Sequence, residues 1–205
     1  MLWDTLITRV NGMDFALPDP KINRVNRGDH DLNPDMRPHE PLIPAAVLIP
    51  LMNRRDGVKV MLTKRSEALP DHPGQISFPG GRINASDASP RAAALRESDE
   101  EVGLSPNSVE VVGELDIYIT RTGFHITPVV GLVRPPFDIR PNRSEVAEVF
   151  ELPLDLVVDP ANYERCSRVY KGHRRTFYVL NFEKHVIWGV TAGILVNLAQ
   201  VLHKQ

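Results

Sequence analysis

The 205 residues contain a single cysteine, Cys166. That excludes an intrachain disulfide and a cysteine-built zinc site, and it suits a reducing compartment. With no activating neighbour in sequence, the thiol is expected to be inert. A surplus of charge is also missing: 24 Lys and Arg stand against 26 Asp and Glu, a formal charge of −2. Such a chain has no general attraction for nucleic acid or anionic membrane, so an anionic substrate must be held locally. Aromatic residues are only 6% of the chain and form no pattern with basic residues, which argues against a nucleic-acid-binding module. No long hydrophobic run is present. The most apolar stretch, HVIWGVTAGILVNLAQVLHKQ, is broken by Thr191, Asn197 and Gln200 and is short for a membrane span. It is expected to be a buried closing helix, with a share in a homodimer interface as the alternative. The opening MLWDTLITRVNG lacks the charged and apolar regions of a secretory signal. A cytoplasmic protein without a membrane partner is therefore expected.

What is present fits one domain of ordinary size. Leu2, Trp3, Leu6, Ile7 and Val10 recur at helical spacing, predicting a first amphipathic helix packed on the domain. Residues 14–41 are rich in Pro, Asn, Asp and Arg and read as an extended surface lead-in. The organisation is thus 1–40 as helix and lead-in, and 41–205 as the domain proper. LIPAAVLIPL and VKVMLTKR, joined by NRRDG, predict a β-hairpin with its turn at Asp56 and Gly57. QISFPGG reads as a short strand broken by glycines. The runs VEVVGELDIYI, FHITPVVGLV and TFYVLNFE read as strands, and SEVAEVFEL as a short helix. The order is mixed without a strict βαβ repeat, so the fold class is α/β, a mixed sheet flanked by helices.

The chemistry concentrates in GGRINASDASPRAAALRESDEEVGL, residues 80–104. Ser89 as N-cap, Pro90 at the first position and Gly103 at C′ frame a helix. Glu97, Asp99, Glu100 and Glu101 crowd its last two turns, where the dipole is negative and each exposed carboxylate costs roughly 0.3–1 kcal/mol. Glu97 and Glu101 add an i,i+4 like-charge pair. At about 100° per residue, Glu97, Glu100 and Glu101 share one arc, whereas Asp99 points away. Leu95 and Val102 lie on another face and can anchor the helix to the sheet. A divalent ion such as Mg²⁺ or Mn²⁺, which takes oxygen ligands, would offset both penalties. A charge run is ordinarily just a solvated helix face. The spacing R-E-x-x-E-E-x-G, however, arises by chance only on the order of 10⁻⁴ in a chain this long at typical residue usage.

Arg96, Glu97, Glu100, Glu101, Gly103 and Leu104, preceded by Gly81 and an acid at Asp87, resemble the Nudix box. The usual box has a glutamate where Asp87 stands, one residue fewer before the arginine, and a large apolar residue where Ser98 stands. The upstream MLTKRSEALPDHPGQISFPGG resembles the coenzyme A pyrophosphatase branch, which shares the longer spacing. Leu62, Thr63, Arg65, Ser66, Gly74, Phe78, Pro79, Gly80 and Gly81 match it, as do FHITPVVG, SEVAEVFELPL and IWGVTAGI. The resemblance covers residue 41 onward. One departure is Pro70, where the branch has an arginine.

The resemblance implies a Nudix-type α/β/α sandwich that hydrolyses coenzyme A or acyl-CoA at the pyrophosphate, giving adenosine 3′,5′-bisphosphate and (acyl) phosphopantetheine. It implies that Glu97, Glu100 and Glu101 bind Mg²⁺ or Mn²⁺, with a carbonyl of Gly80 or Gly81 as a further ligand. Arg96 would pair with an acid to fix the loop against the helix; the alternative is a surface pair with Glu100. Glu145 is the first candidate for a general base or an extra ligand, against the alternative that Ser144 caps a helix with acids in its first turn. Arg65 and Arg82 flank the box and are the candidates for phosphate contact. His72 and His125 are read as structural. Two rivals remain: hydrolysis of another nucleoside diphosphate derivative, such as ADP-ribose or a dinucleotide, which Pro70 keeps open, and a catalytically silent nucleotide-binding domain.

Overall fold

A computed structural model describes residues 1–12, 26–35, 38, 41–170 and 172–203. Most of the expected lead-in therefore lies outside the described residues. The chain opens with α1 (Trp3–Gly12), which buries Leu6 and Val10, followed by the short strand β1 (Arg27–Gly28). A hairpin, β2 (Ile43–Arg54) and β3 (Gly57–Arg65), leads into two brief strands, β4 (Ile76–Ser77) and β5 (Gly80–Arg82), and then α2 (Pro90–Val102). Next come β6 (Val109–Glu114), β7 (Tyr118–Ile119), β8 (Phe124–Val133), β9 (Val146–Pro153) and α3 (Leu154–Val158). Three further strands, β10 (Tyr163–Tyr170), β11 (His173–Phe182) and β12 (His185–Trp188), precede the closing α4 (Gly189–His203).

Among the described residues these strands form a nine-stranded mixed sheet and a three-stranded antiparallel one. β2 lies at the centre of the larger sheet, parallel to β8 and antiparallel to β3 and β5. Its two faces are both covered, which explains the nearly continuous apolar run. Ala46, Leu48 and Met52 face α2, together with Met61 of β3 and Val129 and Val133 of β8. Ile49 and Leu51 face the other layer, where Leu6 of α1, Leu154 and Val157 of α3, and Leu195, Leu198 and Leu202 of α4 pack. Helices thus cover both faces, as the α/β sandwich expectation requires.

Pro50 sits inside this central strand, where a missing N–H would ordinarily break a ladder. The neighbouring edge is divided: β5 pairs with residues 45–47 and β3 with residues 51–54. The Leu48 N–H points to that edge, reaching the Pro79 carbonyl at 2.9 Å. By strand alternation Pro50 faces the same way, into the gap between the two partners, where no donor is required.

Three local expectations are corrected. SEVAEVFEL is not a helix: residues 146–153 form β9, paired antiparallel with β3. Its alternating and β-branched residues satisfy an edge that β3 would otherwise leave open, so Ser144 caps no helix. Arg54 pairs with Gly57, so the hairpin turn is Arg55–Asp56, one residue earlier than read. HVIW belongs to β12 and the closing helix begins at Gly189. At 15 residues α4 is short for a bilayer, and among the described residues no helix is long and apolar enough to cross a membrane.

Candidate active site

The local sequence of α2 explains its placement. The Ser89 hydroxyl accepts from the Ala92 N–H at 3.2 Å, Pro90 occupies the first turn, and Gly103 ends the helix in the left-handed region at φ 68°. Ala93, Ala94 and Val102 are buried against the sheet, with Leu95 packed beside them. This docking turns the glutamate arc toward β5. Within the arc exposure is graded: Glu101 is 5% exposed, the side chain of Glu97 18% and that of Glu100 57%.

Glycine makes the approach to β5 feasible. A Cβ on Gly81 would stand 2.6 Å from the Glu97 carboxyl carbon, and one on Gly80 would stand 2.4 Å from the Ala46 carbonyl oxygen. The Gly80 N–H donates to Glu101 Oε2 at 3.2 Å. Even so, burial pushes the Glu101 carboxyl up to about 7, helped by the charges of Glu97 and Glu145 and opposed by the Gly80 N–H and Arg65. Desolvation disfavours the ionised form, and a nearby cation would restore it.

Arg96 organises the outer part of the site. Its Nε and Nη2 each donate to Asp87 at 2.9 Å, Nη1 donates to Glu97 at 2.8 Å and Glu100 at 3.0 Å, and Nη2 also reaches the Arg82 carbonyl at 3.3 Å. The expected pair with an acid of the loop, here Asp87, and the alternative surface pair with Glu100 coexist. Asp87 is held below the usual carboxylate range by Arg96 and by the Asn84 N–H. One guanidinium thereby ties the box loop, β5 and the helix together.

The segment before β9 is fastened to the C-terminal end of α2, whose last carbonyls lack intrahelical partners. The Arg140 N–H donates to the Val102 carbonyl at 2.7 Å and the Asn142 N–H to the Glu101 carbonyl at 2.8 Å. Asn142 Nδ2 then donates to Glu145 Oε1 at 3.0 Å, and the Ser66 N–H donates to the Glu145 carbonyl at 2.7 Å. Glu145 is thus near enough for its charge to act on the buried Glu101. Asn142 was missed in the sequence, where nothing but its position in a loop marked it.

Arg65 ends β3 at a register shift opposite β9 and is near enough to influence Glu101. Its Nε is buried without a hydrogen-bond partner. Arg82, in contrast, is exposed, with its guanidinium 5.7 Å from the centre of the Phe124 ring. Pro70 is exposed between β3 and β4.

The residues fit a hard divalent cation in type: carboxylates and backbone oxygens around a buried acid whose ionisation needs a positive neighbour. Glu97 and Glu100 are drawn to Arg96, and among the described residues no three His, Cys, Asp or Glu side chains converge as an ion would require. The fit therefore lies in donor chemistry and placement, and the long glutamate side chains would have to rotate to complete it. Two cavities, of about 380 and 890 Å³, lie elsewhere, and no glutamate of α2 lines either. Buried charge, not cavity size, marks this site.

Residues 42–171 match the NUDIX domain family. A protein of Escherichia coli K12 named uncharacterized Nudix hydrolase NudL is 42% identical over 185 residues, covering 90% of this chain and 89% of that protein. Its namesake in Enterobacter sp. strain 638 is 43% identical over 155 residues, covering 76% and 80% respectively. Among solved structures, a binary complex of Ap4A hydrolase from C. elegans overlaps with a TM-score of 0.47 at 16% identity, over 54% of this chain and 80% of that one. With a family match across more than half its length and close relatives along most of it, the chain belongs to the NUDIX domain family and is a Nudix hydrolase.

Proposed function

We propose that this hydrolase cleaves coenzyme A or acyl-CoA at the pyrophosphate, yielding adenosine 3′,5′-bisphosphate and (acyl) phosphopantetheine. The observation that supports this reading is that the branch-like segment at residues 61–81 brings Arg65 and the Gly80 N–H to Glu101 and Gly81 to Glu97. Arg65 approaches Glu101 with a buried, unpartnered Nε, and Thr63 Oγ1 donates to the Ser77 carbonyl at 3.2 Å, joining β3 to the strand before the box.

Glu97, Glu100 and Glu101, with the Gly81 carbonyl, would hold Mg²⁺ or Mn²⁺, which supplies charge neutralisation on the phosphate oxygens and orientation of water. Arg96 orients the glutamates and the box loop. Arg65 would bind a phosphate oxygen, and Arg82 would be a second phosphate contact. Glu145 is the candidate proton acceptor, since a carboxylate beside a divalent ion is a poor base.

A second reading, hydrolysis of ADP-ribose or a dinucleotide, is favoured by Pro70 alone, which stands where the branch pattern has an arginine. Liquid-chromatographic product analysis with coenzyme A, ADP-ribose and a dinucleotide, each with Mg²⁺, Mn²⁺ or chelator, separates the two. Metal-dependent release of adenosine 3′,5′-bisphosphate from coenzyme A alone is the expected result. Cleavage of the other substrates instead would discard the coenzyme A assignment, and no cleavage at all would favour the silent nucleotide-binding domain.

A further inference from the structure

Among the described residues β10 is an edge strand: in the three-stranded sheet it pairs only with β11. Its backbone directions follow from one neighbour. Opposite Ser167, Thr176 exchanges hydrogen bonds with the Asn33 side-chain amide, 2.8 Å in each direction. Ser167 and Thr176 are therefore a non-hydrogen-bonded pair, and the backbone groups of Ser167, like those of Arg165 two residues away, point to the outer edge. Such an edge is a template for another strand.

The side chains along it are self-complementary about Cys166. If two copies of β10 pair antiparallel with a two-fold axis at Cys166, each Glu164 faces Arg168 of the other copy and each Arg165 faces Ser167. Tyr163 then stands opposite Val169, which is 69% exposed in the single chain. Arg165 and Ser167 are the residues whose backbones point outward, so this register is also the one that hydrogen-bonds. An axis at Glu164, Arg165 or Arg168 sets like charges face to face, and an axis at Ser167 pairs no opposite charges.

We infer that the chain forms a two-fold symmetric dimer in which the β10 edges of two copies pair antiparallel about Cys166, creating a six-stranded sheet across both. The full chain is expected to sediment at twice the chain mass. Glu164→Arg weakens association about tenfold, because two opposite-charge pairs become two like-charge pairs. The double exchange Glu164→Arg with Arg168→Glu restores it, since the same pairs re-form with reversed sign. Mild copper-catalysed oxidation links wild-type chains through Cys166, the axial non-hydrogen-bonded pair having Cα atoms about 4.5 Å apart; Cys166→Ser abolishes the link. A monomer at every concentration overturns the inference, as does a dimer that neither responds to Glu164→Arg nor cross-links through Cys166. Should Glu164→Arg fail to fold, the wild-type cross-link decides alone.

Discussion

Asp87 holds Arg96 by two prongs, Nε and Nη2 each standing 2.9 Å from a carboxylate oxygen. This fixes the guanidinium so that its remaining nitrogen, Nη1, meets both Glu97 and Glu100. Asp87→Ala is expected to leave the fold intact and lower metal affinity by about 10- to 100-fold, the usual effect of losing a group that orients ligands. Titration of the protein with Mn²⁺, followed by calorimetry, checks this. Unchanged affinity would reduce the pair to a loop contact.

A side chain at Gly81 would displace the Glu97 carboxylate from its position. Gly81→Ala places a methyl about 2.6 Å from the carboxyl carbon, so either Glu97 or β5 must shift. Turnover is expected to fall on the order of 100-fold, as a misplacement of about 1 Å can produce. The melting temperature, set mainly by the two cores, changes little. A variant with normal turnover would remove Glu97 from the reacting centre.

Glu101 gives the metal-free protein a characteristic pH dependence. Its folded pKa, about 7, lies above its ordinary value of 4.5, so the folded state binds the proton more tightly. Stability is highest below pH 4.5 with respect to this group, declines as pH rises between 4.5 and 7, and stays low above 7. The full cost is on the order of 3 kcal/mol. Glu101→Gln should therefore melt higher than the parent at pH 8 in chelator while losing activity. Thermal unfolding across pH 4 to 9 tests it, and an unchanged pH profile would contradict the buried charge.

Glu145 and Glu100 are distinguished by kinetics. Glu145→Gln is expected to lower the rate by about 10²- to 10⁴-fold with little effect on the Mg²⁺ concentration required, as loss of a general base does. A large rise in required Mg²⁺ would make Glu145 a ligand instead. Glu100→Gln should abolish most turnover at unchanged fold, and normal turnover would exclude Glu100 from the site.

Much of this was legible in the sequence because it is local. Ser89, Pro90 and Gly103 define the ends of α2 by backbone hydrogen bonding within a few residues. Helical periodicity then places Glu97, Glu100 and Glu101 on one arc whatever surrounds them. The apolar run of β2 marks a strand covered on both faces. SEVAEVFEL misled because its acids and serine imitate a helix start, whereas its strand state depends on pairing with β3, far away in the chain.

By itself, then, the sequence determined the family, the glutamate helix and the oxygen-donor chemistry, all of which short-range geometry and residue type control. Only the tertiary structure decided which acids are buried and what neighbours them. Glu101 is desolvated because α2 docks on β2 and β5. Asn142 bonds to its backbone, and the charge of Glu145 acts on it, because the unpaired carbonyls at the end of α2 capture the loop before β9. The charge of Arg65 acts on it because β3 ends nearby. Such contacts arise from long-range pairing and packing, for which no short window of residues carries a signal.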